Sequence, residues 1–261
     1  MKKVFLVLLV FIVVQQLVSF VVSFFAVLIT GGFDGLQMPG VLGIALLSSA
    51  LVTLLVFYKM DYLRKEDFFF PKTSAKVYIG SILAWVGGYI ALDYILSVLS
   101  WLPDLMAQTF DHVLTSPWGI IAISIIGPIE EEIIFRLIIL GVLLKKYTPW
   151  KAILISALIF GVIHFNPVQV VGAFLLGLLF GWVYYRTGNI LVPTLLHIIN
   201  NSMAVILLRI HGAEVDSIRE LMSGSYYAAL LGIGLLLLGV GVYTLHKSIP
   251  FNWGVKKELS D

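Results

Sequence analysis

Apolar residues fall in long runs between charged or Gly/Pro-rich breaks, and the runs predict eight helical spans, at about 4–30, 40–58, 77–99, 117–144, 150–165, 168–185, 189–210 and 225–246. The fifth and sixth are short. Lys2 and Lys3 precede the first run as they would in a secretory signal. The run is too long for one, however, and Ser23 to Gly32 offers no convincing small-x-small cleavage site, so it reads as a retained first helix. Between the third and fourth spans, Leu102, Leu105, Met106, Phe110 and Val113 recur at helical spacing, which predicts a helix lying flat on the outer surface over Trp101 to Ser116.

Composition turns this pattern into a class. The 261 residues are 60% hydrophobic and 12% charged, with mean hydropathy +1.02, far from the make-up of a soluble domain. The expected fold is all-α: a single membrane domain over 1–261, with about eight transmembrane helices around an intramembrane polar cavity. Zero Cys excludes disulfides, thiol nucleophiles and thiolate metal sites, and a net charge of +2 gives no reason to expect nucleic acid as a partner. With the N-terminus inside, Lys and Arg collect in every second loop, ending with Lys247, Lys256 and Lys257, while the outer loops hold Arg209 and Arg219. That alternation predicts a multi-pass cell-membrane protein with both termini cytoplasmic. Trp101, Trp118, Trp150 and Trp253 near span ends fit interfacial anchoring. No internal repeat stands out, which argues against the matched halves of a secondary transporter.

Ionisable residues in a bilayer cost at least about 2.5–3.5 kcal/mol each on insertion scales, so they are functional candidates by default. The fourth span carries Glu130, Glu131, Glu132 and Arg136. At about 100° per residue, Arg136 lies some 40° round the helix from Glu132 but about 140° from Glu131, so Glu132 can pair with Arg136 and Glu131 faces elsewhere. Pro128 removes a backbone hydrogen bond just upstream and predicts a kink. Phe160 and His164 share a helix face, as do His197 and Asn201. At about 1.5 Å rise per residue, Glu131, His164 and Asn201 lie about 21, 20 and 18 Å from the cytoplasmic ends of their spans and His197 about 12 Å, near enough in depth to share a site. Asp93, alone in the third span, reads as a helix-packing hydrogen bonder, and Gly177-xxx-Gly181 as a close-packing face.

Residue types narrow the chemistry. There is no His-Glu-x-x-His helix, no Gly-x-Ser-x-Gly elbow and no paired intramembrane aspartates. A Glu in a low-dielectric cavity, with a neighbouring His, is suited to deprotonate water for attack on a carbonyl, and His197 with Asn201 could donate to the oxyanion. The same atoms could instead hold Zn²⁺, since two His and one Glu with an open water position form a catalytic set.

The stretch Gly127-Pro128-Ile129-Glu130-Glu131-Glu132-Ile133-Ile134-Phe135-Arg136, then Phe160-Gly161-Val162-Ile163-His164, then Thr187-Gly188-Asn189-Ile190-Leu191-Val192-Pro193 leading to His197 and Asn201, resembles the CPBP family of CAAX proteases and bacteriocin-processing enzymes, also called Abi. Glu-Glu-xxx-Arg, Phe-xxx-His and His-xxx-Asn stand in order on separate spans, and 117–205 is the expected catalytic core. The resemblance implies an eight-helix, glutamate-dependent intramembrane endopeptidase related to type II CAAX prenyl endopeptidases. Glu131 and His164 would activate water, His197 and Asn201 would form the oxyanion hole, and Glu132 and Arg136 would support the site. The Arg four residues after Glu132 selects Glu131/Glu132 over Glu130/Glu131; Leu137 stands where relatives commonly have Gly. No cofactor is implied, with zinc the minority alternative. The implied partners are a peptide or membrane-associated protein substrate and the lipid bilayer. Two other classes are open: a non-catalytic bacteriocin-immunity or scaffold protein, and an ion or proton transporter using the carboxylates as a relay.

Overall fold

The computed structural model describes residues 1–68, 70–211 and 217–248, so Trp253, Lys256 and Lys257 lie outside the described residues. Among the described residues there is no strand. The helices are α1 (Lys2–Thr30), α2 (Pro39–Lys59), α3 (Ala75–Val98), the eight-residue α4 (Ala107–Leu114), α5 (a continuous helical run over 117–144), α6 (Pro149–Val162), α7 (Pro167–Thr187), α8 (Leu191–His211) and α9 (Gly224–Ser248). Six of them, α1, α2, α3, α7, α8 and α9, are long and apolar enough to cross a bilayer. The protein is therefore an all-α polytopic membrane protein. On α1, Phe5, Leu17, Phe20 and Phe24 point outward, as befits a surface solvated by lipid.

The other two expected spans are built differently. In α5, π-helical segments at Ala122–Ile126 and Ile133–Leu140 flank the α-helical Gly127–Glu132, which carries the three glutamates. Helix α6 has 14 residues, about 21 Å at 1.5 Å per residue, against a hydrocarbon core of about 30 Å. It ends before His164, because Asn166 must be extended to precede Pro167, the first residue of α7.

The chain divides into two compact units. The first comprises Met1–Phe68, Met106–Lys145 and His197–Ile210. Within it α2 and α5 meet backbone to backbone: a Cβ on Gly43 would collide with the main chain of Trp118 and Gly119. Such small-residue contacts let membrane helices gain dispersion energy where no hydrophobic force drives them together. Phe11 of α1 packs edge-on against Phe135 of α5, with ring centroids 6.4 Å apart.

The second unit comprises the described residues of Phe69–Leu105, Lys146–Leu196 and His211–Asp261. Its tightest seam joins α3 to α9, where Gly87 faces Gly234 and Leu238 and Gly241 faces Gly80 and Ala84, leaving no room for a side chain. Helices α6 and α7 form a hairpin with Gly177 against Ala157 and Gly161 against Val170 and Phe174. Asp93 accepts hydrogen bonds from Tyr227 Oη (2.6 Å), the Ile218 amide (2.9 Å) and Ser217 Oγ (3.1 Å), tying α3 to the entry of α9. Asn189 donates to Thr73 Oγ1 (2.9 Å) and the Pro71 carbonyl (3.2 Å) and accepts from the Leu191 amide, which fixes the start of α8.

Candidate active site

The site grows from α5. Glu132 and Arg136 are 0% and 1% exposed, and Arg136 Nε lies 3.2 Å from Glu132 Oε2. Neither charge could stay at that depth alone, since an uncompensated buried ion costs several kcal/mol. The other oxygen of Glu132 takes His197: Oε1 is 2.9 Å from Nδ1. On its far side His197 Nε2 faces Glu131 Oε2 at 3.6 Å. Arg136, Glu132, His197 and Glu131 thus form a chain of groups whose charges can alternate, and it ends on the least buried member, Glu131, 27% exposed. A carboxylate on Nδ1 fixes the ring's orientation and leaves Nε2 to act towards Glu131.

Asn201 lies one helical turn beyond His197 on α8, and its placement depends on the π segment in α5. The Gly127 amide bonds to the carbonyl of Ala122, five residues back. The next donor in that register would be residue 128, a proline with no N–H. The Ile123 carbonyl instead accepts from Asn201 Nδ2 at 3.0 Å. An amide nitrogen carries two hydrogens, so Asn201 can hold Ile123 with one and donate elsewhere with the other. Asn200 Nδ2 donates to Asn201 Oδ1 at 3.3 Å, fixing which end of the amide points where.

Glu130 is buried and accepts from Gln15 Nε2 of α1 at 2.9 Å. Gln15 and Gln16 form a polar pair within an apolar run, and that pair is the signal in the sequence for this partnership. The Ile123 carbonyl had no comparable signal.

The first unit therefore brings together Glu131, Glu132, Arg136, His197 and Asn201. His164 belongs to the second unit, in the turn that follows α6. Its Nδ1 is 2.7 Å from the Phe160 carbonyl, and its ring stands edge-on to the Phe160 ring at 5.0 Å. A carbonyl only accepts, so Nδ1 carries the hydrogen and Nε2 is the basic nitrogen of the neutral ring. The Phe-xxx-His spacing thus supplies both an orienting carbonyl and a packing face. Among the described residues, no group of three or more His, Asp and Glu side chains is gathered closely enough to hold a metal ion.

Fold and site together define a polytopic α-helical membrane protein with a buried carboxylate–imidazole–amide set. Residues 113–203 match the family described as Type II CAAX prenyl endopeptidase Rce1-like. Among curated proteins, the chain is 36% identical to "Putative membrane peptidase YdiL" of Bacillus subtilis over 49% of this chain and 50% of that protein. It is 34% identical to "Membrane-embedded CAAX protease MroQ" of Staphylococcus aureus over 34% and 39%, and 36% identical to an "Uncharacterized 24.3 kDa protein" of Escherichia coli over 30% and 38%. The chain spans about half or less of the length of these relatives. No solved structure matches. Over residues 113–203 the chain is similar to the Rce1-like family, and that stretch contains Glu131, Glu132, Arg136, His164, His197 and Asn201.

Proposed function

We propose that the protein is an intramembrane endopeptidase that hydrolyses a peptide bond with water activated by Glu131 and His164. The observation that carries this reading is the alternating chain Arg136–Glu132–His197–Glu131, with Nδ1 of His197 held at 2.9 Å by one carboxylate and Nε2 facing the other at 3.6 Å. Glu131 takes a proton from water as the oxygen attacks the carbonyl carbon. The carbonyl oxygen, now an oxyanion, accepts from His197 Nε2–H and Asn201 Nδ2–H. When Nε2 donates, both ring nitrogens carry hydrogen: Glu132, shared with Arg136, holds Nδ1–H, and the oxyanion itself balances the charge of the imidazolium. Glu131 then returns its proton to the departing amine and the C–N bond breaks, giving a new carboxylic acid, which ionises in water, and a new amine without a covalent enzyme intermediate. Preorganised donors of this kind are typically worth about 3–4 kcal/mol each.

The substrate is a peptide or a membrane-associated protein segment, and the name of the relative MroQ favours the CAAX class of protease. Charge alternation along the sequence favours cytoplasmic termini. No resident cofactor is part of this scheme. The test is purified protein reconstituted into vesicles and offered a mixture of apolar peptides, with products read by mass spectrometry. Wild-type protein should cut, with or without a strong chelator, and Glu131→Gln should not. Activity lost to chelation and restored by Zn²⁺ would replace the water-activating pair with a metal. Absence of cleavage by folded wild-type protein, together with capture of a bacteriocin or partner protein, would move the chain to the immunity or scaffold class.

A further inference from the structure

Two residues beyond His164, Asn166 is fully buried, at 0% exposure. It occupies the N-cap of α7, where an asparagine side chain ordinarily accepts from the first amides of its own helix. Here it makes no such bond. Its amide is committed to a segment far away in sequence: Nδ2 donates to Asp104 Oδ1 at 2.8 Å, and Oδ1 accepts from the Leu105 amide at 2.9 Å. Between His164 and this clamp sits Phe165, with φ of 51°. The left-handed region costs a bulky L-residue about 1–2 kcal/mol. Phe165 recovers none of that by burial, being 69% exposed.

The turn therefore holds a strained residue between two fixed points, the Nδ1–Phe160 bond of His164 on one side and the Asp104–Asn166 contact on the other. Helix α6, at about 21 Å, is shorter than the about 30 Å of a hydrocarbon core, and non-helical backbone inside such a core is tolerated only where it is buried in protein or lines a wet cavity.

We propose that Asp104 and Asn166 are positioning residues for His164: their contact holds the turn 163–166 so that Nδ1 stays on the Phe160 carbonyl and Nε2 is the nitrogen offered to the attacking water. This rests on the reading of His164 as a member of the water-activating pair.

The test uses the exchange symmetry of the contact. Asn166→Asp sets two carboxylates against each other. Asp104→Asn keeps an acceptor oxygen and stays near wild type. The double variant, Asp104→Asn with Asn166→Asp, again has one amide and one carboxylate with their places exchanged, and still offers the Leu105 amide an acceptor. Two readouts are taken on the full-length protein: kcat and KM on a cleaved peptide, and the ¹⁵N shifts of the His164 ring, assigned by their loss in His164→Gln.

Asn166→Asp should lower kcat with little change in KM, up to about the 10²-fold that a 1 Å misplacement costs. It should also shift the His164 nitrogen signals away from the Nδ1–H form, and the double variant should restore both. Wild-type kcat and signals in folded Asn166→Asp, or a double variant as impaired as the single, overturn the proposal. If wild-type protein cleaves nothing, the hydrolase reading fails, and the nitrogen signals by themselves decide whether the clamp sets the ring.

Discussion

Two polar networks in this protein differ in how they end. Around Asp93, three donors close on one carboxylate: the Tyr227 hydroxyl, the Ser217 hydroxyl and the Ile218 amide. The donors serve to tie α3 to the start of α9, and none of them brings a charge that needs balancing. Around Glu132 the partners are themselves ionisable, Arg136 on one oxygen and His197 on the other, and the chain continues to Glu131, which is partly exposed. A closed network holds helices together. A network that passes charge along and stops at an accessible carboxylate has the parts of a proton-transfer site.

Four substitutions sharpen or break this contrast. Glu131→Gln removes the base and should lower cleavage by about 10²–10⁴-fold, the usual worth of a positioned general base, while the folded, inserted fraction stays at the wild-type level. Arg136→Ala leaves Glu132 without its counter-ion, which should cost about 3–5 kcal/mol and show as a sharp fall in detergent-stable protein; a stable but inactive variant would place Arg136 in the chemistry instead. Asn201→Ala should cost about 10²–10³-fold in kcat as one oxyanion donor, and an unchanged kcat would assign Asn201 to the Ile123 carbonyl alone. The smallest effect belongs to the closed network. Tyr227→Phe should lower stability by about 1 kcal/mol in a thermal-shift measurement and leave cleavage as it was.

The contrast was partly legible in the sequence. Asp93 reads as a packing residue because it stands alone in its span, and its bonds to Ser217, Ile218 and Tyr227 are structural. The apolar runs give the helices, and the spacing of Glu132 and Arg136 gives their pair, since both depend on neighbours along one helix. What could not be read depends on register and on residues distant in the chain. His197 between two adjacent carboxylates requires knowing how α8 packs on α5. The π turn that frees the Ile123 carbonyl arises where Pro128 withholds an amide, and the sequence suggested only a kink there. The apolar run predicts a fifth span that passes through His164, whereas α6 stops at Val162, because the demand of Pro167 for an extended predecessor outweighs the apolar character of Ile163 and Phe165.

The most direct test of the central claim, that one polar network does chemistry and the other only holds helices, is a comparison of new protein termini in membranes from cells expressing wild-type protein, Glu131→Gln or Asp93→Asn at equal folded levels. The account predicts fragments with wild type and Asp93→Asn that vanish with Glu131→Gln. The same fragments persisting in Glu131→Gln, or lost equally in both variants at matched folding, would contradict it.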